Sequence, residues 1–427
     1  MRMIRLRTNV SLNAVCTYIA LFCVATFALI EDVSTTLPFV SGIKMPLMYV
    51  GGIALLLQIK PISRVLLKKK YFSMLLQLSL FLMAVVFSML VNWNTSIGEQ
   101  PLTKTVRLLL FLTELYLVMI LLAETGRADA TLTFLFWYIL LLVVVNDFLM
   151  FTRFLVYGGR HELYVLGTKF SVSYRHLELL VLWAIRNKRR NNKLRFSKIK
   201  AVLITAFTMV VAVRVGCITG IIGGIALLIL FTMIDSPRRN RLLRFTSPVM
   251  LGLALAASVV LAFAADAIMQ IPVVKYVVED VLGRNATITG RTIVYENYIE
   301  RIGSQWLAGY GYGNGGDASN ALFKLANAQN GLLHWVLQVG VIATSALVML
   351  LLRTFRQIQP RNPKNMEKIL PLVALVYVYI ILSTVEISLH MAFLMWFAVL
   401  FMLTNEKKKV LVAVPAETDY IMAERKR

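Results

Sequence analysis

Cysteine is scarce in this chain of 427 residues: Cys16, Cys23 and Cys217 are the only three, and each lies inside an apolar block. They offer no disulfide framework and no metal-ligand spacing, which leaves packing as their role. Carboxylates are also few, 22 against 45 lysines and arginines, giving a formal net charge of +23. Internal repeats and low-complexity segments are absent. No Lys-Ser or Lys-Thr pair follows the glycine-rich stretch near residue 311, so a P-loop is excluded. Long polar stretches are missing as well, apart from residues 269–330.

Apolar sequence is what the chain has in excess. Hydrophobic residues make up 58% of it and its mean hydropathy is +0.72, against the roughly 45–50% usual for a soluble globule. They fall into blocks of about 16–24 residues, long enough to cross roughly 30 Å of hydrocarbon as helices. The blocks are continuously apolar and do not alternate, which excludes membrane strands. The expected fold is an all-α polytopic membrane protein. Spans are predicted at 11–30, 39–58, 72–91, 105–123, 131–152, 168–185, 199–213, 217–234, 247–268, 331–352, 369–385 and 388–404, about twelve in all. Within 199–234, a single tilted helix would put Arg214 at mid-membrane, at a cost of about 2.5–3.5 kcal/mol. Two short helices turning near Arg214–Gly216 avoid that cost. Only Glu386–His390 separates the last two spans, so a re-entrant pair stays open there.

In a soluble protein a charge of +23 points to nucleic acid; here topology accounts for it, and no nucleic-acid partner is expected. With the N-terminus inside, the inner segments are Lys60–Lys70, Arg186–Lys200, Arg238–Arg244, Arg353–Lys368 and the tail 405–427. They and the N-terminus collect roughly 32 of the 45 basic residues. Both termini are therefore expected in the cytoplasm of a multi-pass plasma-membrane protein. The whole chain, 1–427, forms one transmembrane domain, with 269–330 as a large outer loop. The start, Met1–Arg7 and an apolar run, is similar to a signal peptide. It lacks a small-residue cleavage site and runs directly into Glu31-Asp32, so it is taken as an uncleaved first span.

Candidate chemistry concentrates in the outer loop. Thr289 is a plausible N-cap, and Ile293, Ile299, Ile302 and Trp306 fit an amphipathic helix over about 290–303. Arg291 then lies in the first turn, where the helix dipole disfavours a cation unless an anion such as phosphate is shared. The plain alternative is a surface Arg paired with Glu296 or Asp317. Gly311, Gly313 and Gly316 match G-x-G-x-x-G without a surrounding parallel sheet. A flexible turn that lets backbone approach a sugar or phosphate fits better, with Tyr310 and Tyr312 offering ring faces; a simple hinge is the alternative. Gln329, Asn330 and His334 open the next span, the last two on one helix face. Lys169, Arg175, His176 and Glu178 mark the outer end of another span, and Glu386 and His390 lie between the last two. Converging with Arg214 and Arg291, these cations would make a basic pocket for a polyanionic headgroup. Glu114 and Asp147, inside spans, serve as buried partners or as helix–helix glue.

Thr289-Gly290-Arg291 with Tyr295, Leu307-Ala-Gly309-Tyr-Gly311, and Gln329-Asn330-Gly331-Leu332 with Gly340, in this order around one large loop, resemble the O-antigen ligase/polymerase (Wzy-type) superfamily. Lys169–Tyr174 and the isolated Arg214 also stand where that family keeps polar outer-face residues. The resemblance implies a GT-C-like membrane fold and a glycosyltransferase that needs no metal, cofactor or nucleotide sugar. Its substrates would be undecaprenyl-pyrophosphate-linked oligosaccharides, with a flippase and a chain-length regulator as pathway partners. The implied catalytic set is Arg291, Arg214, His334 and Glu296. Lys169, Arg175, Tyr295, Tyr310, Tyr312, Gln329 and Asn330 would bind substrate.

The chain departs from ligase-type members, which carry a His just before the Asn of the third motif. Gln329 stands there and cannot take a proton. That favours a polymerase of capsular or exopolysaccharide repeat units over a ligase, and it leaves the base among Glu296, Asp317, His334 and Glu386. A lipid-linked oligosaccharide flippase is the alternative from another class. It fits less well because the polar residues gather at one face and no repeated halves are visible.

Overall fold

A computed structural model describes residues 11–30, 38–94, 97–152, 164–190, 198–234, 242–264, a few positions between 267 and 280, 291–358 and 366–407. The described residues are mostly helical, with one isolated bridge between Tyr164 and Gly167 and no strand among them. In chain order the helices are α1 (Leu12–Leu29), α2 (Pro38–Leu56), α3 (Ile59–Leu66), α4 (Lys69–Val91), α5 (Leu102–Glu124), α6 (Ala128–Thr152), α7 (Lys169–Arg190) and α8 (Lys198–Arg214). There follow α9 (Ile218–Ile234), α10 (Pro248–Phe263), α11 (Arg291–Ile302), α12 (Gly315–Phe323), α13 (Gly331–Arg356), α14 (Leu370–Leu382) and α15 (Met391–Asn405).

Five of these, α1, α4, α5, α6 and α13, are long and apolar enough to cross a bilayer, or six with the bent pair α2–α3. The count of about twelve predicted spans is thus met only in part. Helices α9, α10, α14 and α15 are apolar but have 17, 16, 13 and 15 residues, fewer than the roughly 20 that a perpendicular crossing takes. Large apolar side chains are bare on the outside of the bundle, among them Phe72 and Met83 on α4, Trp137 and Phe148 on α6, and Leu203 and Val213 on α8. Such a belt suits lipid and not water. The protein is a helical, membrane-embedded one.

The interior is sorted by composition. Residues 392–404 of α15 are all buried, and α14 is buried on nearly every side; helices apolar all round occupy the middle of a bundle. Aromatic rings fill the space between them, with Phe393 and Phe397 5.3 Å apart and Phe355 5.5 Å from Phe397. Small residues allow close approach elsewhere. Leu177 of α7 lies against Gly223 of α9, and Glu114 of α5 lies against Gly51 and Gly52 of α2. All three cysteines are buried and free.

Residues 199–234 form two helices, α8 and α9, turning through Gly216 at φ +66°. That is the arrangement that keeps Arg214 out of mid-membrane. Helix α3 bends 76° away from α2, turning Ile62 and Val65 inward and leaving Lys60 and Arg64 exposed. At the same end of the bundle Glu124 receives Lys68 and Lys70, and Arg189 joins Asp129 to Glu406. The opposite end carries residues 303–331, the start of α5 and the turn between α14 and α15. Residues 281–290 of the expected large loop, and 408–427 of the expected tail, lie outside the described residues.

Candidate functional site

Helix α13 is broken. Gly340 adopts φ 74°, ψ 175° inside it, a region essentially restricted to glycine. In an unbroken helix the Leu337 carbonyl would accept from residue 341; here it accepts the Tyr310 N–H at 2.9 Å. The segment Leu307–Gly313 is drawn into the gap. Asn92 donates to the Gly309 carbonyl at 3.0 Å, Ser88 donates to that of Ala308, and the Gln338 side chain accepts the Gly313 N–H at 2.8 Å. Non-helical backbone among membrane helices persists only when protein groups satisfy it, and these do.

Gly309, Gly311 and Gly313 have φ of +67°, +90° and +88°. A Cβ on Gly309 would fall 2.6 Å from the Gln338 carbonyl, and one on Gly311 2.8 Å from Pro101. The glycines therefore answer close packing and left-handed backbone. Both the flexible turn and the hinge expected of Gly309–Gly316 give way to a clamped loop. Tyr310 and Tyr312, on either side of Gly311, serve different spaces: Tyr312 stacks on Trp335 at 5.8 Å, whereas Tyr310 adjoins a separate pocket near Trp93.

The third motif builds the start of α13. Asn330 is its N-cap; the side chain accepts from Leu332 and Leu333 N–H groups and donates to Ser258 at 3.1 Å. Gln329 has φ +55°, and its carbonyl accepts the Tyr295 hydroxyl at 2.8 Å. Asn330 and His334 do not share a face for ligand: the Asn330 amide is spent on the cap. His334 lies against Gly315, its Nδ1 buried without a hydrogen-bond partner among the described residues. Tyr298 of α11 donates to the Leu333 carbonyl. Burial pushes the Tyr298 and Tyr310 phenols up, so both remain protonated.

A cavity of about 640 Å³ opens beside the clamped loop. Lys44, Lys104 and Arg107 contribute cations to its wall, Glu386 and His390 an acid and an imidazole, and Phe27, Leu108, Phe170 and Met391 apolar surface. Lys44 is buried, donating to the Ile30 carbonyl at 2.7 Å and lying 4.8 Å above the Phe27 ring. Lys104 reaches the Gly313 carbonyl at 3.2 Å and Glu99 at 3.6 Å. Arg107, one turn along α5, is half-buried; its Nε has no hydrogen-bond partner among the described residues, and no described carboxylate pairs with it. Three cations beside mostly apolar surface suit a phosphate joined to a hydrocarbon chain. Glu386 is buried at the wall, and His390 caps α15 by accepting the Ala392 N–H at Nδ1. That bond leaves Nε2 as the protonated nitrogen of a neutral ring.

The expected site residues scatter with respect to this cavity. Tyr312 lines it. Lys169 lies next to it in sequence, over the Phe170 ring at 5.3 Å. Arg175 is not on a surface: it is 1% exposed inside the bundle, paired with Glu178 at 2.7 Å, and Glu178 also accepts from Tyr379. His176 pairs with Asp147 at 2.9 Å, so Asp147 has a cationic or hydrogen-bonding partner while Glu114 has none among the described residues. Arg214 is exposed at the end of α8 and is not part of the wall. A helix, α11, stands where one was expected over 290–303, but its buried side chains are Val294, Tyr295, Tyr298 and Ile302, whereas Ile299 and Trp306 of the expected apolar face are exposed. The side chains of Arg291, Ile293 and Glu296 lie outside the described residues.

Lys44, Lys104 and Arg107 went unnoticed in the sequence. The signal was present for Lys44, a lone ionisable residue within an apolar block, which is a functional candidate by default. Lys104 and Arg107, three apart at the start of a span, are indistinguishable from interfacial anchors until the loop is seen against them. Comparison with known protein families, with curated proteins and with solved structures finds no match.

Proposed function

We propose that the protein is a polysaccharide polymerase that joins oligosaccharide repeat units carried on undecaprenyl pyrophosphate, at the outer face of the cell membrane. In this reading the short apolar helices also cross the bilayer, tilted or in locally thinned lipid, for about twelve spans. The end bearing Lys68, Lys70 and Arg189 is cytoplasmic by the positive-inside rule. The cavity then opens outside, where lipid-linked glycans are presented. The observation that carries the proposal is the cavity itself: Lys44, Lys104 and Arg107 line one largely apolar space with Glu386 and His390, beside a clamped glycine loop.

The chemistry follows from those groups. The bond between the anomeric carbon of the growing glycan and the pyrophosphate oxygen breaks, and the lipid pyrophosphate leaves with the electron pair. Fixed cations aimed at that oxygen stabilise the developing charge. A hydroxyl of the incoming unit attacks the anomeric carbon and gives its proton to Glu386, which among the described side chains is the one base candidate on the cavity wall. His390 Nε2 is a donor to a phosphate or sugar oxygen. Arg291 is the further cation that the resemblance would add, its side chain lying outside the described residues, whereas Arg214, exposed at the end of α8, takes no part in this wall. Gln329 in place of a histidine favours this reading over a ligase.

The test is reconstitution with purified lipid-linked repeat unit and no nucleotide sugar, followed by sizing of the glycan. A ladder of longer chains with release of lipid pyrophosphate is expected. Arg107→Ala and Lys104→Ala should each lose about 1.5–3 kcal/mol of anion stabilisation, slowing the ladder roughly 10- to 150-fold. Arg291→Ala should leave single units on lipid. An inert protein, or labelled headgroup crossing the vesicle wall without lengthening, overturns the proposal, the second outcome in favour of a flippase.

A further inference from the structure

The clamped loop has a second side. Opposite the Tyr312 face, a pocket of about 300 Å³ is lined by Asn92, Trp93, Asn94, Ile97, Gln305 and Tyr310, with Leu90 and Val91 beneath. None of these residues is charged. Trp93, two residues past the end of α4, is 40% exposed, while Tyr310 of the same lining is nearly buried. Two hydrogens of the Asn92 amide are spent on the carbonyls of Ser88 and Gly309, at 2.8 and 3.0 Å, so what this side chain offers a ligand is its carbonyl oxygen. The Gln305 and Asn94 amides can both donate and accept.

We infer that this pocket is a carbohydrate subsite, separate from the cationic cavity, which holds a neutral sugar residue of the glycan while the pyrophosphate lies on the other side of the loop. An uncharged lining excludes phosphate and ionised sugars as preferred ligands. Amide groups match the mixed donor and acceptor character of neighbouring hydroxyls, and an indole face suits the C–H face of a pyranose ring. The volume is at the low end of the roughly 300–1,000 Å³ typical of ligand pockets, which suits one ring of a longer chain and not a whole repeat unit. A tryptophan at a helix end is also a common interfacial anchor. Anchoring alone, however, requires neither a tyrosine nor an amide from a separate segment of chain, and Tyr310 and Gln305 supply both. The Gly309–Gly313 clamp would hold the two subsites at a fixed separation, since the same backbone forms the partition.

The inference rests on the polymerase reading for its ligand, and its test separates the two. Full-length protein in nanodiscs is titrated with repeat-unit oligosaccharide released by mild acid from the cell's own lipid-linked pool, and in parallel with inorganic pyrophosphate. Saturable oligosaccharide binding is expected, weakened about three- to tenfold by Trp93→Ala. A weaker loss is expected for Gln305→Ala, which removes no membrane anchor. Pyrophosphate binding should be unchanged in both variants, and this also reports that they fold. Oligosaccharide binding unaffected by either substitution overturns the subsite. So does binding lost on Lys104→Ala or Arg107→Ala but kept in the Trp93 and Gln305 variants. If the sugar binds here and the reconstituted protein makes no polymer, the subsite stands and the polymerase reading falls.

Discussion

Replacing Gly340 with alanine puts the geometry of the broken helix to a direct test. At φ 74° and ψ 175° any L side chain is strained by about 1–3 kcal/mol. The added Cβ would also overlap the Leu307 carbonyl and come within 2.5 Å of the Ala308 nitrogen. Both are backbone, so the loop itself must retreat. Retreat loosens the bonds from Tyr310 to Leu337, from Ser88 to Ala308 and from Asn92 to Gly309, each contributing about 0.5–1.5 kcal/mol. Together the loss is about 3–7 kcal/mol, a large share of what typically separates folded from unfolded states. Gly42→Ala is the control, because a Cβ there meets nothing within 4 Å and the backbone is helical. The assay is detergent unfolding followed by fluorescence, with hydrogen exchange over residues 305–313. Gly340→Ala should unfold well before Gly42→Ala, and the Tyr310 and Gly313 amides should lose protection. Equal midpoints with a slow Tyr310 amide would refute the clamped loop.

Further outcomes follow from single contacts. Asn330→Ala removes a cap, with a loss of about 0.5–2 kcal/mol, and unfolding should show it whether or not substrate is present; Asn330→Asp, which keeps the accepting oxygen but turns the donor facing the Ser258 carbonyl into a second acceptor, should recover only part of it. Arg175→Ala leaves Glu178 buried without its cation, which should cost about 3–5 kcal/mol, whereas Arg175→Met with Glu178→Gln should be milder, as read by unfolding midpoint and yield. Glu386→Gln should stop chain lengthening while pyrophosphate binding by calorimetry stays within about twofold, because it removes the proton acceptor and no cation; weakened pyrophosphate binding would assign Glu386 a structural role instead.

The helical, membrane-embedded class was legible from unbroken apolar blocks, and the Arg214 turn from the cost of a charge at mid-membrane. The span count was less so. Helices such as Leu370–Leu382 are shorter than their apolar blocks suggest, because polar ends unwind into turns at Ser383–His390. Within the candidate site, the sequence singled out Gly309–Gly316, which lies beside the cavity, but read its backbone as loose where it is clamped. A glycine run looks the same whether it is loose or wedged. Only the positions of Pro101, Gln338 and Lys104 show that Gly309, Gly311 and Gly313 are wedged. Arg175 read as an outer cation because nothing in the sequence states that Glu178, one turn on, and Tyr379, two hundred residues away, enclose it.

The Gln329-Asn330 pair shows how motif and chemistry can part company. Gln329 holds a left-handed conformation at φ +55°, with its N–H on the Asn327 side chain and its carbonyl on Tyr295. Asn330 caps α13 and ties it to α10 through Ser258. Gly331 donates to the Ser383 carbonyl, and Trp335 to that of Leu389. The motif thus binds α11, α10 and the turn after α14 to the head of α13, and that turn carries Glu386 and His390. Glutamine at position 329 therefore takes no group from the cavity wall, which that position does not line. What the motif governs is where the 383–390 turn sits. In the proposed reaction, a proton acceptor supplied from that turn needs no basic residue in the motif itself, so a glutamine there is compatible with the proposed glycosyl transfer.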